Sequence, residues 1–211
     1  VLVNAGTTCE NIDPVRFITN RGTGKMGFAV AAEAAARGAD VILVSGRTHL
    51  EPPAGVKLVS VWGAEEMCEV MVKYQPACDI IIGAAAVGDF TVARAAEQKI
   101  KKTDDGNQTL VLQLVNTPDI LKTLGANKQP GQIMVGFAAE TENVLENARK
   151  KLIAKNLDFI VANDVTMEGA GFAIDTNIVT LIDRNGEVKA LPKMSKRDVA
   201  AAIIDKVIEM M

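Results

Sequence analysis

Short apolar runs that alternate with helical patterns restrict the fold of this sequence more than any other feature. Val41–Val44 and Phe159–Ala162 contain only apolar residues, and Asp79–Ile82 carries a run of isoleucines behind its aspartate. A strand consists of continuous apolar residues when both faces of its sheet are covered, as in a parallel sheet packed between helices. The pattern therefore predicts an α/β fold.

Helical patterns separate these strands, and the segment Met67–Tyr74 places its apolar residues at helical spacing. Further predicted strands are Val1–Ala5, Val56–Val61, Thr109–Val115 and Gln132–Phe137. Further predicted helices are Met26–Arg37, Glu142–Ala154, a helix that starts at Thr117-Pro118 and a last helix capped by Ser195. A β-hairpin is predicted at Ile178–Leu191. Together these elements predict a Rossmann-like, doubly wound, mainly parallel sheet with helices on both faces and an added hairpin, in a single domain of residues 1–211.

Composition excludes several classes of function. The net charge of −3 argues against a nucleic-acid binder, which would carry a basic surface. Three cysteines and one histidine form no metal-ligand spacing and no even disulfide set, so we expect a cytoplasmic protein without a bound metal of its own. No apolar run approaches the roughly 20 residues that span a bilayer, so no membrane partner is expected. The sequence begins inside a strand at Val1, which predicts a piece of a longer polypeptide.

Small and polar residues follow several of the predicted strands and indicate where a ligand binds. They are Gly6, the segment Gly83–Asp89, the segment Phe137–Thr141, and Asn163-Asp164. In doubly wound sheets ligands bind at the carboxyl ends of the strands, so these segments are expected to meet at one crevice. The long polar stretch Thr91–Gln108 is predicted to be a mobile loop.

The segment Gly22–Gly27 matches the letters G-x-G-x-x-G but lacks the context of a dinucleotide-binding motif. Gly6 to Arg21 separate it from the first strand, and the second strand is followed by Arg47 rather than an acid. An NADP-dependent reductase that uses Arg47 remains an alternative, as does a tight turn against the sheet. Glycines before a helix N-terminus also let backbone N–H groups approach an anion closely.

Nine motifs in this order give the sequence a more specific likeness. They are VNAGTT (Val3–Thr8), DPVRFITN (Asp13–Asn20), GKMG (Gly24–Gly27), AAAVGDF (Ala84–Phe90), KIKK (Lys99–Lys102), TPDI (Thr117–Ile120), GFAAET (Gly136–Thr141), KNLD (Lys155–Asp158) and ND (Asn163-Asp164). In order and spacing they resemble the bacterial phosphopantothenate–cysteine ligases, also called phosphopantothenoylcysteine synthetases.

The resemblance implies an ATP- or CTP-type ligase reaction without a covalent enzyme nucleophile. The carboxylate of 4′-phosphopantothenate attacks the α-phosphate of CTP, and L-cysteine then displaces CMP from the acyl-cytidylate in a step of coenzyme A biosynthesis. Mg²⁺ accompanies the nucleotide. Bacterial relatives use CTP and eukaryotic ones ATP, and GKMG with KIKK favours the bacterial type.

The resemblance also implies roles for individual residues. Asn20 and Lys99 are expected to be catalytic. Nucleotide-binding residues are expected to be Gly6, Gly22, Gly24, Gly27, Gly83, Ala84, Ala85, Asp89, Lys99, Val115, Asn116, Thr117, Pro118, Phe137, Lys151, Lys155 and Asn163. Substrate-binding residues are expected to be Arg16, Asn20, Ala85, Ala86 and Asp89.

Partners follow from the same likeness. Arg16 is expected to reach the phosphate of phosphopantothenate in a neighbouring subunit, which implies a homodimer. Fusion to an N-terminal flavin-dependent decarboxylase is expected in the full-length protein. Besides the reductase, a regulatory module that binds a nucleotide but forms no product remains an alternative.

Overall fold

The computed structural model describes residues 1–102, 109–164, 166–167, 169, 171 and 173–211. In chain order the elements are β1 (Leu2–Ala5), β2 (Cys9–Asn11), β3 (Phe17–Thr19), α1 (Lys25–Ala36), β4 (Val41–Ser45), β5 (Val56–Ser60), α2 (Ala64–Tyr74), a 3-10 turn (Gln75–Ala77), β6 (Ile80–Gly83), β7 (Phe90–Val92), β8 (Leu114–Asn116), α3 (Ile120–Ala126), β9 (Ile133–Glu140), α4 (Val144–Ala154), β10 (Phe159–Asp164), β11 (Thr176–Asn177), β12 (Val179–Asp183), β13 (Val188–Ala190), β14 (Met194–Ser195) and α5 (Lys196–Glu209).

One eight-stranded sheet, in the order β13-β12-β10-β9-β6-β1-β4-β5, forms the centre of the described structure. The six strands from β10 to β5 run parallel, whereas β12 and β13 pair antiparallel at one edge as the predicted hairpin. The prediction of a mainly parallel, doubly wound sheet with an added hairpin is therefore confirmed. None of the described helices is both long and apolar enough to cross a membrane.

Helices cover both faces of the sheet because successive strand residues point to opposite sides. In β1, Val3 packs into the layer formed with α1 and α5, whereas Leu2 packs into the layer formed with α2, α3 and α4. Both residues are completely buried. This double burial explains why the parallel strands are apolar throughout.

Two local predictions were wrong. Residues 109–113 form no strand, and only Leu114–Asn116 pairs, because its partner β7 is itself three residues long. Helix α3 begins at Ile120 with Asp119 as its N-cap, rather than at Thr117-Pro118. The Thr117 hydroxyl instead donates to the Gly88 carbonyl, 2.5 Å away. Of the predicted mobile loop Thr91–Gln108, residues 103–108 lie outside the described part of the chain.

The strand order reverses at β1, and this reversal places the crevice. From β1 the chain adds β4 and β5 on one side, then returns to add β6, β9 and β10 on the other. The connections after β1 and β6 therefore leave in opposite directions and open a gap between their carboxyl ends. Ligands of doubly wound proteins bind at such a reversal.

Candidate active site

A cleft of about 740 Å³ lies at the carboxyl ends of β1 and β6. Most of the residues predicted from the sequence line it: Gly6, Asn20, Gly22, Gly24, Gly83, Ala84, Ala85, Ala86, Asp89, Asn116, Thr117, Pro118, Phe137, Lys151, Lys155 and Asn163. Sequence reasoning missed other lining residues, among them Asn4, Arg21, Thr23, Lys25, Asn177 and Lys196. Gly27, Val115, Arg16 and Lys99 do not line it. Segments far apart in the sequence thus share one cavity.

Asn4 fixes the floor of the cleft. Its side-chain oxygen accepts hydrogen bonds from the backbone N–H groups of Ala84 and Ala85, at 2.8 and 2.9 Å. The residue is 2% exposed, so these bonds are shielded from water. An asparagine inside an otherwise apolar strand was the one sequence sign of this role, since a buried amide requires partners. The bonds hold the residues that follow β6 against the end of β1.

Two glycines form a wall that adjoins this floor. A Cβ atom on Gly22 would lie 2.6 Å from the Cβ of Ala86, so a larger residue would displace the floor. Gly24 has a φ of +83°, a conformation that side chains disfavour. The backbone therefore packs against Ala86 and Gly6 more closely here than a residue with a side chain would permit.

Helix α1 begins at this wall, and its first turn is open to an anion. Gly24 is the N-cap and supplies no side-chain hydrogen bond to the first turn. The N–H groups at a helix start have no partner within the helix and carry partial positive charge. Gly27 does not line the cleft, and its nucleotide-binding role stays a prediction; a Cβ there would lie 2.6 Å from that of Ala5. It allows α1 to pack closely on β1.

Asn20 follows β3 and lines the cleft just before Gly22. Its Nδ2 donates to the Val87 carbonyl at 2.8 Å, which orients the amide. No described residue donates to its Oδ1. An oriented amide with an open acceptor can bind a group that carries a proton, and its catalytic role remains a prediction.

Asn163 supplies the clearest indication of a missing partner. Its Oδ1 is buried and accepts no hydrogen bond from any described residue. Buried polar atoms are rarely left without a partner, and such an exception calls for an explanation. Asn163 lines the cleft and pairs with Ala139 on the neighbouring strand, so a ligand that donates a hydrogen bond would satisfy this oxygen once the amide turns toward the cleft.

Two lysines bring positive charge to the α4 side of the cleft. Lys151 Nζ lies 2.5 Å from a Glu140 oxygen, and Lys155 Nζ lies 3.0 Å from an Asp119 oxygen. Both charges are therefore partly balanced within the protein.

The Asp89 side chain is exposed at the cleft and has no partner among the described residues. Within that part of the chain no three His, Cys, Asp or Glu residues cluster as a metal site would require.

Lys99 is exposed and outside the cleft, but its neighbour Ile100 is firmly held. Ile100 N–H donates to Asp13 Oδ2, and Arg16 Nη2 donates to the Ile100 carbonyl, both at 3.1 Å. Arg16 also forms an ion pair with Asp13, at 3.1 Å. Burial alone would raise the pKa of Asp13, but the backbone donors Val15, Ile100 and Arg16, with the Arg16 charge, lower it below the ordinary value. The action of Arg16 across a subunit interface stays a prediction.

Arg47, the residue that an NADP-dependent reductase would need, lies away from the cleft lining. Its guanidinium carbon lies 5.6 Å from the centre of the Phe17 ring. Its backbone exchanges hydrogen bonds with Thr7. These contacts give Arg47 a packing role and leave the reductase without its phosphate-binding arginine.

Comparison with known proteins agrees with this geometry. The coenzyme A biosynthesis bifunctional protein CoaBC of Bacillus subtilis (strain 168) is 50% identical over 208 residues, 98% of this chain and 50% of the relative. CoaBC of Vibrio cholerae serotype O1 is 46% identical over 211 residues, 100% of this chain and 52% of the relative. The chain thus spans about half the length of the curated relatives it matches.

A solved structure has the same fold. The crystal structure of the C-terminal domain of the coenzyme A biosynthesis bifunctional protein CoaBC superposes with a TM-score of 0.84 at 43% identity, covering 99% of this chain and 93% of that one. The family described as DNA/pantothenate metabolism flavoprotein C-terminal domain matches residues 1–211. The chain therefore belongs to the DNA/pantothenate metabolism flavoprotein C-terminal domain family.

Proposed function

We propose that this chain is a phosphopantothenate–cysteine ligase domain, formed by residues 1–211, which acts in the cytoplasm in coenzyme A biosynthesis. It joins 4′-phosphopantothenate to L-cysteine with CTP and yields phosphopantothenoylcysteine, CMP and pyrophosphate. The observation that carries the proposal is one cleft that combines an open helix start beside Gly24, the oriented amide of Asn20 and the unsatisfied Oδ1 of Asn163. The names of the relatives support the pathway.

The reaction has two steps that balance without a protein nucleophile. A carboxylate oxygen of phosphopantothenate attacks the α-phosphorus, and the bond to the bridging oxygen breaks to release pyrophosphate. The cysteine amine then attacks the acyl carbon, its carbon–oxygen bond to CMP breaks, and the amine loses a proton. The protein contributes by positioning the reactants and by stabilising charge on the phosphates.

The nucleotide is expected to lie across the cleft from the α1 start to the β9 and β10 ends. Its phosphates meet the N–H groups beside Gly22 and Gly24, where the helix start favours anions. Its base lies by Phe137, and an exocyclic amino group donates to Asn163 Oδ1. Cytosine and adenine carry such a group and uracil does not, which favours CTP or ATP over UTP.

Asn20 and Asp89 are proposed to act on the reacting groups. The Asn20 amide holds the acyl group as its charge changes between carboxylate, acyl-cytidylate and amide. Mg²⁺ would enter the cleft bound to the phosphate oxygens of CTP and would partly neutralise their charge. Most ligands of this cation are water molecules and phosphate oxygens, so it needs few protein ligands. Asp89, whose side chain is exposed at the cleft, is the carboxylate proposed to face it.

Lys99 is proposed to act from a closed position over the triphosphate. Its exposure leaves its side chain free to move, while Asp13 and Arg16 fix the adjacent Ile100. Lys99 then contributes charge when pyrophosphate leaves, when the negative charge on the phosphates is greatest.

A homodimer is proposed as the working assembly. The β7–β8 ribbon exposes large apolar side chains: Phe90 is 51% exposed, Leu114 44% and Val115 43%. Neighbouring apolar groups of this kind mark an interaction surface. Arg16 is proposed to contact the phosphate of the phosphopantothenate that is bound by the second copy. In the full-length protein, an N-terminal flavin-dependent decarboxylase is proposed to precede this domain.

Product formation tests the proposal directly. The chain is incubated with 4′-phosphopantothenate, L-cysteine, CTP and Mg²⁺, and the products are analysed by mass spectrometry. We expect phosphopantothenoylcysteine, and none when CTP is omitted. CTP binding without product would favour the regulatory module, whereas absence of both would refute the ligase.

A further inference from the structure

Lys25 is the first residue of α1 and stands where the cleft meets a second cavity. It lines the cleft beside Gly24, and it also lines a neighbouring cavity of about 430 Å³ that includes Phe28 and Leu50. A flexible lysine side chain at such a boundary has room on both sides. None of the roles considered above uses its charge.

The Lys25 ammonium is held by weak and exposed contacts. Its Nζ lies 2.6 Å from Asp175 Oδ1 and 3.0 Å from the Ala173 carbonyl. The Asp175 side chain is 89% exposed and that of Lys25 is 31% exposed. Ion pairs as exposed as this contribute little to stability, because water replaces the partner at small cost. The pair can therefore open without leaving a buried charge.

Lys196 fixes the backbone that carries Asp175. Its side chain is nearly buried, and its Nζ donates to the carbonyls of Gly171 and Ile174, at 2.9 and 2.6 Å. Burial lowers the pKa of Lys196, and the nearby charge of Lys25 lowers it further. Since this backbone is held, the ion pair opens by movement of the side chains and leaves the backbone in place.

We propose that Lys25 binds the phosphate groups of the nucleotide and that Asp175 holds this charge until the nucleotide displaces it. This inference rests on the ligase proposal, because it requires a nucleotide at the start of α1. The ammonium exchanges one anion for another beside the same glycines. Asp175 therefore competes with the nucleotide for Lys25.

Opposite effects of two substitutions test this exchange. Lys25→Met removes the charge, and CTP binding measured by isothermal titration calorimetry is expected to weaken about tenfold, the effect of one charge-assisted contact. Asp175→Asn removes the competitor, and CTP is expected to bind about two- to threefold more tightly, the size of an exposed ion pair. Lys150→Met, which breaks the exposed Lys150–Glu146 pair on α4, is the matched control and is expected to change nothing.

A structural role for the same ion pair predicts a different result. If the pair only ties α1 to the Asp175 backbone, both substitutions weaken it and shift CTP binding and thermal unfolding in the same direction. That result, or unchanged CTP binding in Lys25→Met, overturns the inference about Lys25. If the wild-type chain still forms product, the ligase proposal stands in either case. A wild-type chain that binds no nucleotide contradicts the ligase proposal and the inference together.

Discussion

The floor of the cleft and the stretch Lys99–Lys102 are stabilised in different ways. The floor is built from buried strand ends, and Asn4 joins β1 to the residues after β6 at 2.8 and 2.9 Å. In the other region the lysine side chains are exposed, and the adjoining Ile100 is attached to Asp13 and Arg16. Under the ligase proposal, the floor is a preformed nucleotide-binding surface and Lys99 is a cation that the bound ligand brings into place.

Removing the Lys99 charge is expected to have the largest effect on turnover. Lys99→Gln should lower kcat about 10²- to 10³-fold, which is the usual effect of removing a donor that stabilises charge in the transition state. Folding should be unchanged because the Lys99 side chain is exposed. Steady-state kinetics measure the loss, and circular dichroism checks the fold. Lys101→Gln and Lys102→Gln are matched controls from the same stretch. Equal losses in all three variants would contradict a specific role for Lys99.

Substitution of Asn4 is expected to damage the floor and the stability together. Asn4→Ala leaves the Ala85 N–H without its acceptor and the Ala84 N–H with only the backbone carbonyl of residue 4, 3.3 Å away, so the free energy of unfolding should fall by about 1–3 kcal/mol. Urea denaturation measures this change, and CTP titration should show weaker binding. The exposed Asn127 at the end of α3 offers a control, and Asn127→Ala should cost less than about 0.5 kcal/mol. A stable Asn4→Ala variant with unchanged CTP affinity would contradict a preformed floor.

Asp13 makes the second region sensitive to acid. Its pKa is lowered in the folded chain, so its stabilisation is present above the ordinary Asp pKa and is lost as the pH falls through the lowered value. Asp13→Asn should therefore reduce the loss of stability between neutral pH and about pH 3, where an ordinary Asp is mostly protonated. Urea unfolding of both proteins across this range measures the difference. Parallel pH profiles would show that Asp13 is not the group responsible.

The lysines of α4 are expected to give the smallest effect. Lys151 already has Glu140 as a partner, so Lys151→Gln should raise the KM for CTP about three- to tenfold with little change in kcat. Lys150 lies on the same helix, is paired with Glu146 and does not line the cleft, so Lys150→Gln is the control. A loss of kcat as large as that of Lys99→Gln would remove the distinction between the two regions.

The sequence predicted the sheet and the position of the crevice from patterns within single segments, and most individual lining residues from the resemblance to phosphopantothenate–cysteine ligases. Apolar runs such as Val41–Val44 predicted the parallel strands, and the small residues after β1 and β6 predicted the crevice. The bonds of Asn4 were not predictable, because their donors lie 80 residues away along the chain. The start of α3 was misassigned because Thr117 is held by Gly88, a tertiary contact that local capping preferences do not include.

Pyrophosphate release distinguishes the ligase from the reductase and from a module that only binds a nucleotide. It is measured with each of CTP, ATP, GTP and UTP, in the presence of 4′-phosphopantothenate, with cysteine added or withheld. A ligase should show release that favours CTP, requires phosphopantothenate and turns over only with cysteine, since the acyl-cytidylate otherwise stays in the cleft. No release with any nucleotide, or equal release without phosphopantothenate, would contradict the ligase proposal.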